Sequence, residues 1–250
     1  RSVSAFLLNR SSYLRLFARI KSIDVSEAEK YPGVACILTH KNVPHVSFTR
    51  AGQGYPEPSP HDKFVLDEYV RYVGDEVAVV AAETEEIALD AMKLIKVEYE
   101  VLEPVLDFEK AYENASVIHP EDGIHEMFPI GFDPKKNVAA AYEMEVGNVA
   151  EELAKCDYVV EDTFYSQAQA HAMIEPHASN ARLDEHNRLV VYSTTQTPYH
   201  MRRIICKTLG LPVDRVRVIK PRVGGGFGGK QAFHGEMFCS LVTLRTNRPT

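Results

Sequence analysis

Along the first half of the chain, apolar residues fall into short continuous or alternating runs, separated by helical stripes and turn-forming residues. Val34 to Leu38 and Val77 to Ala82 are continuous apolar runs, as expected of buried strands. Val97 to Val101 alternates apolar with acidic positions, the period of a half-buried strand. Ser26 to Glu29 signals a short helix with an acidic first turn, stopped by Pro32 and Gly33. A second helix is better marked. Thr84 is its candidate N-cap, Glu85 and Glu86 suit the positive end of its dipole, and Ala88, Ala91, Met92 and Ile95 form one stripe. Ala51 to Pro60 reads as a loop, because its prolines remove backbone donors and its glycines loosen the chain.

The pattern then lapses. Pro120, Gly123, Pro129, Gly131 and Pro134 occur without hydrophobic period, which predicts a linker over 119–137 between an α/β domain at 1–118 and a second domain at 138–250. In the second domain a short helix is predicted around Val149 to Lys155 and a strand at Tyr158 to Tyr165. A hairpin loop between Leu183 and Leu189 leads into a strand ending at Ser193. The next helix has Thr197 as cap, Pro198 at its first position, an apolar stripe of Met201, Ile204, Ile205 and Leu209, and a stop at Gly210 and Pro212. Val216 to Ile219 is a strand running into Gly224 to Lys230, after which Glu236 to Leu244 is an amphipathic run. The second domain is expected to be incomplete here. Its Met201, Ile204 and Ile205 stripe should then lie exposed, with oligomerisation or disorder following.

With 45% hydrophobic residues the chain can bury a sizeable core, and its formal charge of -7 disfavours nucleic-acid binding. The longest apolar run is far shorter than the ~20 residues of a membrane span, and the polar start has no signal-peptide pattern, so a cytoplasmic protein is expected. Cys36, Cys156, Cys206 and Cys239 are too scattered for a zinc site or an iron–sulfur cluster, which places any such cluster on another chain. A start at Arg1 and an end at Thr250 without a closing element suggest a piece of something longer.

Gly224 to Lys230 reads Gly-Gly-Gly-Phe-Gly-Gly-Lys, a backbone that can adopt positive φ, approach a ligand closely and offer successive N–H groups to a phosphate or a metal oxo group. It nearly fits the phosphate loop of nucleotide hydrolases, but Gln231 stands where that motif needs Ser or Thr for magnesium. It also fits the dinucleotide-binding pattern poorly, since too few residues follow for the acidic ribose ligand. His171, Glu175 and His177 lack the spacing of a zinc hydrolase and are expected to form a hydrogen-bonded structural cluster, with Glu175 beneath the glycine loop. The acidic runs Glu83 to Glu86 and Glu109 to Glu113 read as solvated faces.

Taken in order, His171 to His177, Ser193 to Gln196, Leu209 to Pro212, Val216 to Val218 and Gly224 to Lys230 resemble the opening of the molybdopterin-binding region of the xanthine dehydrogenase and aldehyde oxidase family. Ala18 to Asp24, Tyr31 to Val34, Leu38-Thr39 and Val70 to Glu76 resemble the α/β hammerhead domain that precedes it. The implied fold is of the α/β (α+β) class, a hammerhead followed by the first part of a molybdopterin-binding domain.

The implied activity is hydroxylation of an N-heterocycle such as a purine (xanthine or hypoxanthine), or of an aldehyde, with oxygen from water. Electrons would leave through iron–sulfur and FAD centres on partner subunits. The implied cofactor is molybdopterin, alone or as its dinucleotide form. Gln196, Gly225, Gly226, Phe227 and Gly228 would bind it, with the Gln196 side chain and the Phe227 amide near molybdenum oxygen ligands. Gln231 would contact substrate, at a position held by an acid in many purine-oxidising members. The family's general-base glutamate lies downstream of these motifs. The competing readings are a noncatalytic docking module and a nucleotide-binding protein built on the near-phosphate-loop.

Overall fold

The computed structural model describes residues 2–8, 17–52 and 54–250. Among these residues, three small sheets carry the fold. In the first, β1 (Ser4–Leu8), β5 (Ala78–Ala82) and β3 (Val34–Thr39) run antiparallel in the order β1-β5-β3, with α1 (Ser26–Glu29) and α2 (Glu85–Leu94) packed nearby. The second has the antiparallel order β4-β2-β6, from β4 (Tyr69–Val70), β2 (Ala18–Asp24) and β6 (Lys96–Val101). In the third, β7 (Ser179–Leu183) pairs antiparallel with β8 (Leu189–Ser193), which pairs parallel with β9 (Val216–Ile219). The parallel crossover is α4 (Pro198–Leu209), and α5 (Glu236–Thr246) packs on β7 and β8.

Local chemistry explains several boundaries. Thr84 Oγ1 accepts the Ile87 N–H at 3.3 Å, closing the first turn of α2. Gly210 ends α4 at φ 64°, and its neighbour Leu211 donates to Cys206 O at 2.9 Å. Residues 120–137 hold a short 3-10 turn (Pro134–Lys136) and isolated bridges, with no sheet running through them.

β5 explains why its run is apolar at every position. Ala78, Val80 and Ala82 enter a core with Ala18, Ile20, Ile37, Ala88, Ala91 and Ile95. Val79 and Ala81 point the other way, into a core that also contains Leu38, Phe48, Val65 and Leu66 together with Leu189, Val191, Met201, Ile204, Ile205 and Val242.

That second core corrects two expectations. The stripe of Met201, Ile204 and Ile205 is not left exposed: each is at most 1% exposed, because it lies in a core built jointly from the third sheet, α5 and residues of the N-terminal half. Nor is α5 one-sided. Every residue from Glu236 to Thr243 is buried, so the helix is enclosed and not amphipathic.

The apolar surface lies elsewhere. Tyr158 to Tyr165, expected as a strand, forms none: the segment has no regular structure, with Tyr158 92% and Phe164 88% exposed. No neighbouring strand among the described residues supplies the ladder its backbone would need.

Candidate cofactor site

β8 and β9 are parallel neighbours, so the segments leaving their C-terminal ends emerge at one edge of the sheet. From β8 the chain passes through the buried Thr194 and Thr195 to Gln196; from β9 it passes into the glycine loop. The two segments meet. The Gln196 N–H donates to Lys230 O at 2.8 Å, and Gln196 Oε1 accepts the Gly228 N–H at 3.1 Å. A Cβ on Gly226 would sit 2.5 Å from Gln196 Oε1, so only glycine permits this approach. Gly225 and Gly228 take φ 92°, and Phe227 between them takes φ 51°. Positive φ is strained for a bulky residue, and here it holds the ring outward at 73% exposure.

Two sets of donors are left over. Among the described residues, the backbone N–H groups of Gly225, Gly226 and Phe227 meet no acceptor, and neither does Gln196 Nε2. This is the donor set a cofactor with anionic oxygen groups needs, and at Gly225 and Gly226 no Cβ obstructs the approach. No cluster of three or more His, Cys, Asp or Glu able to hold a metal ion occurs among the described residues.

The loop is fixed at both ends. Lys230, only 1% exposed, directs Nζ to Glu175 Oε2, and that oxygen also accepts the Gly224 N–H at 2.8 Å. The Lys230 ammonium and the Gly224 N–H hold the Glu175 carboxyl below the usual range. Glu236, buried at the start of α5, accepts the Ser193 hydroxyl at 2.6 Å and the His234 N–H at 2.9 Å, joining helix to sheet behind the loop.

His171, Glu175 and His177 do not cluster as expected. They are spread along the loop, on a segment without helix or strand that bends at Ile174 and Glu175. His171 lies beside Gly229, where an added Cβ would be 2.9 Å from its Cγ; Glu175 supports Gly224, as expected; His177 packs on His234 at 3.7 Å between ring centroids. Burial pushes both His177 and His234 down. Thr197 sits at the N-cap position of α4 without making the cap bond, since its hydroxyl turns to Gln231 O at 3.4 Å.

Gln231 is half-buried in a 3-10 turn (Gly229–Gln231). Its carbonyl would lie 2.6 Å from a Cβ on Gly52, which brings the Ala51 to Pro60 loop of the N-terminal half to the rim of the site. Lys230 stands out in the sequence only as the lysine that ends the glycine motif, and nothing there marks Gly52 or Glu236 as part of the site. A groove of about 610 Å³ lies apart from the glycine loop, between Tyr55, Met127 and the Leu211 to Val213 turn.

Beside that groove is a buried cluster of His200, His61 and Glu57 with Arg203 and Lys207. Burial, then the Arg203 charge, pushes His200 down to about 4, and burial lowers His61 as well. A histidine with a folded value below its unfolded one stabilises the fold fully above pH 6.5 and progressively less as pH falls towards 4. Urea unfolding should therefore show stability declining below pH 6.5, with His200 contributing a slope of at most ~1.4 kcal/mol per pH unit. The His200→Gln variant should flatten that decline. Glu57, held below the usual range by Arg203 despite its burial, acts only at lower pH.

Residues 10–103 match the family described as aldehyde oxidase and xanthine dehydrogenase, a/b hammerhead domain, and residues 132–250 match the molybdopterin cofactor-binding domain. Among curated relatives, the probable hypoxanthine oxidase XdhD of Escherichia coli K12 is 41% identical over 93% of this chain and 27% of its own length. The nicotinate dehydrogenase large molybdopterin subunit of Eubacterium barkeri is 34% identical over 93% of this chain and 50% of its own length. The chain thus spans between about a quarter and a half of these relatives. Among solved structures, the aldehyde oxidoreductase of Desulfovibrio gigas superposes with a TM-score of 0.78 at 26% identity, over 99% of this chain and 26% of that one. Quinoline 2-oxidoreductase of Pseudomonas putida 86 gives 0.77 at 27% identity, over 99% and 30%. Sequence and fold agree across nearly the whole length, and the chain belongs to the aldehyde oxidase and xanthine dehydrogenase family, joining its hammerhead domain to its molybdopterin cofactor-binding domain.

Proposed function

We propose that this chain supplies the hammerhead and the first cofactor-contacting loop of a molybdenum hydroxylase acting on an N-heterocycle, with a purine preferred over an aldehyde. The observation that carries the reading is the crossing of Gln196 over Gly226. With Oε1 held by the Gly228 N–H, the Gln196 amide has only its NH₂ to offer outward, and the N–H groups of Gly225, Gly226 and Phe227 are free beside it. These residues would hold molybdopterin, which when bound supplies the redox centre for carbon hydroxylation. The chain's own part is to orient that group with preorganised donors, while the exposed Phe227 ring and Gln231 border the substrate's approach. Iron–sulfur and FAD subunits as electron acceptors, and a cytoplasmic location, belong to the same reading; no helix among the described residues is long and apolar enough to cross a membrane.

The nucleotide-hydrolase alternative loses its support. The lysine of a phosphate loop must reach the β- and γ-phosphates, whereas Lys230 is buried and paired with Glu175. The purine preference follows XdhD, the relative with the higher identity of the two compared. The full-length protein should contain molybdenum and a pterin and should reduce a dye acceptor with hypoxanthine or xanthine; purified protein without molybdenum would refute the reading.

Gln231 gives a finer test. A glutamine both donates and accepts, but cannot balance positive charge as a carboxylate does. Gln231→Glu should reorder kcat/KM among heterocycles with molybdenum content unchanged. Unchanged ranking, or lost metal, would remove Gln231 from the substrate side.

A further inference from the structure

We propose that Glu175 and Lys230 are positioning residues, a clasp that closes the glycine loop across its two ends and so holds the free amides and Gln196 in register for the cofactor. The inference rests on the function proposed above.

Lysine is almost never fully buried unless paired, and Lys230 has its side chain wholly enclosed against Glu175. One residue thereby reaches three points of the site. Its ammonium holds Glu175 Oε2, and that oxygen takes the N–H of Gly224 at the loop's entry. Its carbonyl takes the N–H of Gln196 at 2.8 Å and the Thr195 hydroxyl at 3.2 Å. Glu175 is bound in turn by its own N–H to Gly224 O at 3.4 Å. A loop made almost entirely of glycine has no side chains to define its shape and loses much conformational entropy on ordering. The clasp supplies the definition from outside the loop. A pair kept only for stability could be replaced by an apolar residue of similar volume at little cost. A pair kept for positioning could not.

The test uses the full-length holoenzyme with Lys230→Met, Glu175→Gln and Lys230→Arg. Metal per chain, the Mo(V) electron paramagnetic resonance spectrum after dithionite reduction, and melting temperature are read for each. Lys230→Met is expected to keep the fold while losing about tenfold in molybdenum occupancy, as for residues that orient a metal's ligands. The remaining metal should give a broadened or split spectrum. Glu175→Gln keeps an acceptor for the Gly224 N–H and should fall between wild type and Lys230→Met, and Lys230→Arg should partly restore the signal. Wild-type occupancy and an unaltered spectrum in both Lys230→Met and Glu175→Gln would overturn the proposal. If Lys230→Met does not fold, Glu175→Gln alone decides, since Glu175 is one-third exposed and the glutamine keeps an oxygen to accept from Lys230 and the Gly224 N–H. A wild-type enzyme lacking molybdenum would instead defeat the functional reading, and the clasp with it.

Discussion

Replacing Gly226 by alanine is expected to lower the turnover of the full-length enzyme by about 10²-fold while leaving its melting temperature near wild type. The new methyl would lie 2.5 Å from Gln196 Oε1 and 2.7 Å from its Cδ, too close for either to stay. The atoms in the way are the end of a flexible side chain, so the fold absorbs the methyl by moving Gln196. The Gly228 N–H then loses its acceptor, and the Gln196 NH₂ loses its aim. A melting temperature lowered by many degrees would show that the loop backbone, not Gln196, had absorbed the methyl.

Gln196→Ala should cost a similar factor, about 10² in kcat with KM little changed, because it removes a preorganised donor whose value lies in the transition state. The pair gives a sharper result than either variant alone. Since Gly226→Ala acts through Gln196, the double variant should be little worse than Gln196→Ala, a strongly non-additive outcome. Additive losses near 10⁴-fold would mean that the alanine at 226 obstructs the cofactor directly.

Much of this was legible in the sequence where the cause is local. Thr84 caps α2 and Gly210 ends α4 because the signal and the structure it produces lie within one turn. The runs that became β3, β5 and β8 are apolar because they are buried, whatever covers them. What escaped depends on distant contacts. Lys230 looks like a phosphate-binding or solvated lysine until Glu175, 55 positions earlier, is brought beneath it. Thr197 has the residue type and position of a cap, yet the Gln231 carbonyl competes for its hydroxyl. Tyr158 to Tyr165 has the composition of a strand, but a strand also needs a neighbour, which composition does not reveal. The Met201, Ile204 and Ile205 stripe was correctly seen as apolar; its partner, across the boundary drawn at 119–137, was not.

That partner gives β5 a role beyond packing. Its alternate residues belong to different cores, so the strand is a party wall between a core of the N-terminal half alone and a core that both halves share. Val3 N–H bonded to Pro249 O at 2.8 Å closes the same arrangement at the other end of the chain. Cutting at the linker would not release a portable hammerhead: the Val79 and Ala81 side of the wall, with Leu38, Phe48, Val65 and Leu66, would face water. The stretch 119–137, which reads as a linker in the sequence, has no matching seam in the shared core, and the two halves should melt in one transition.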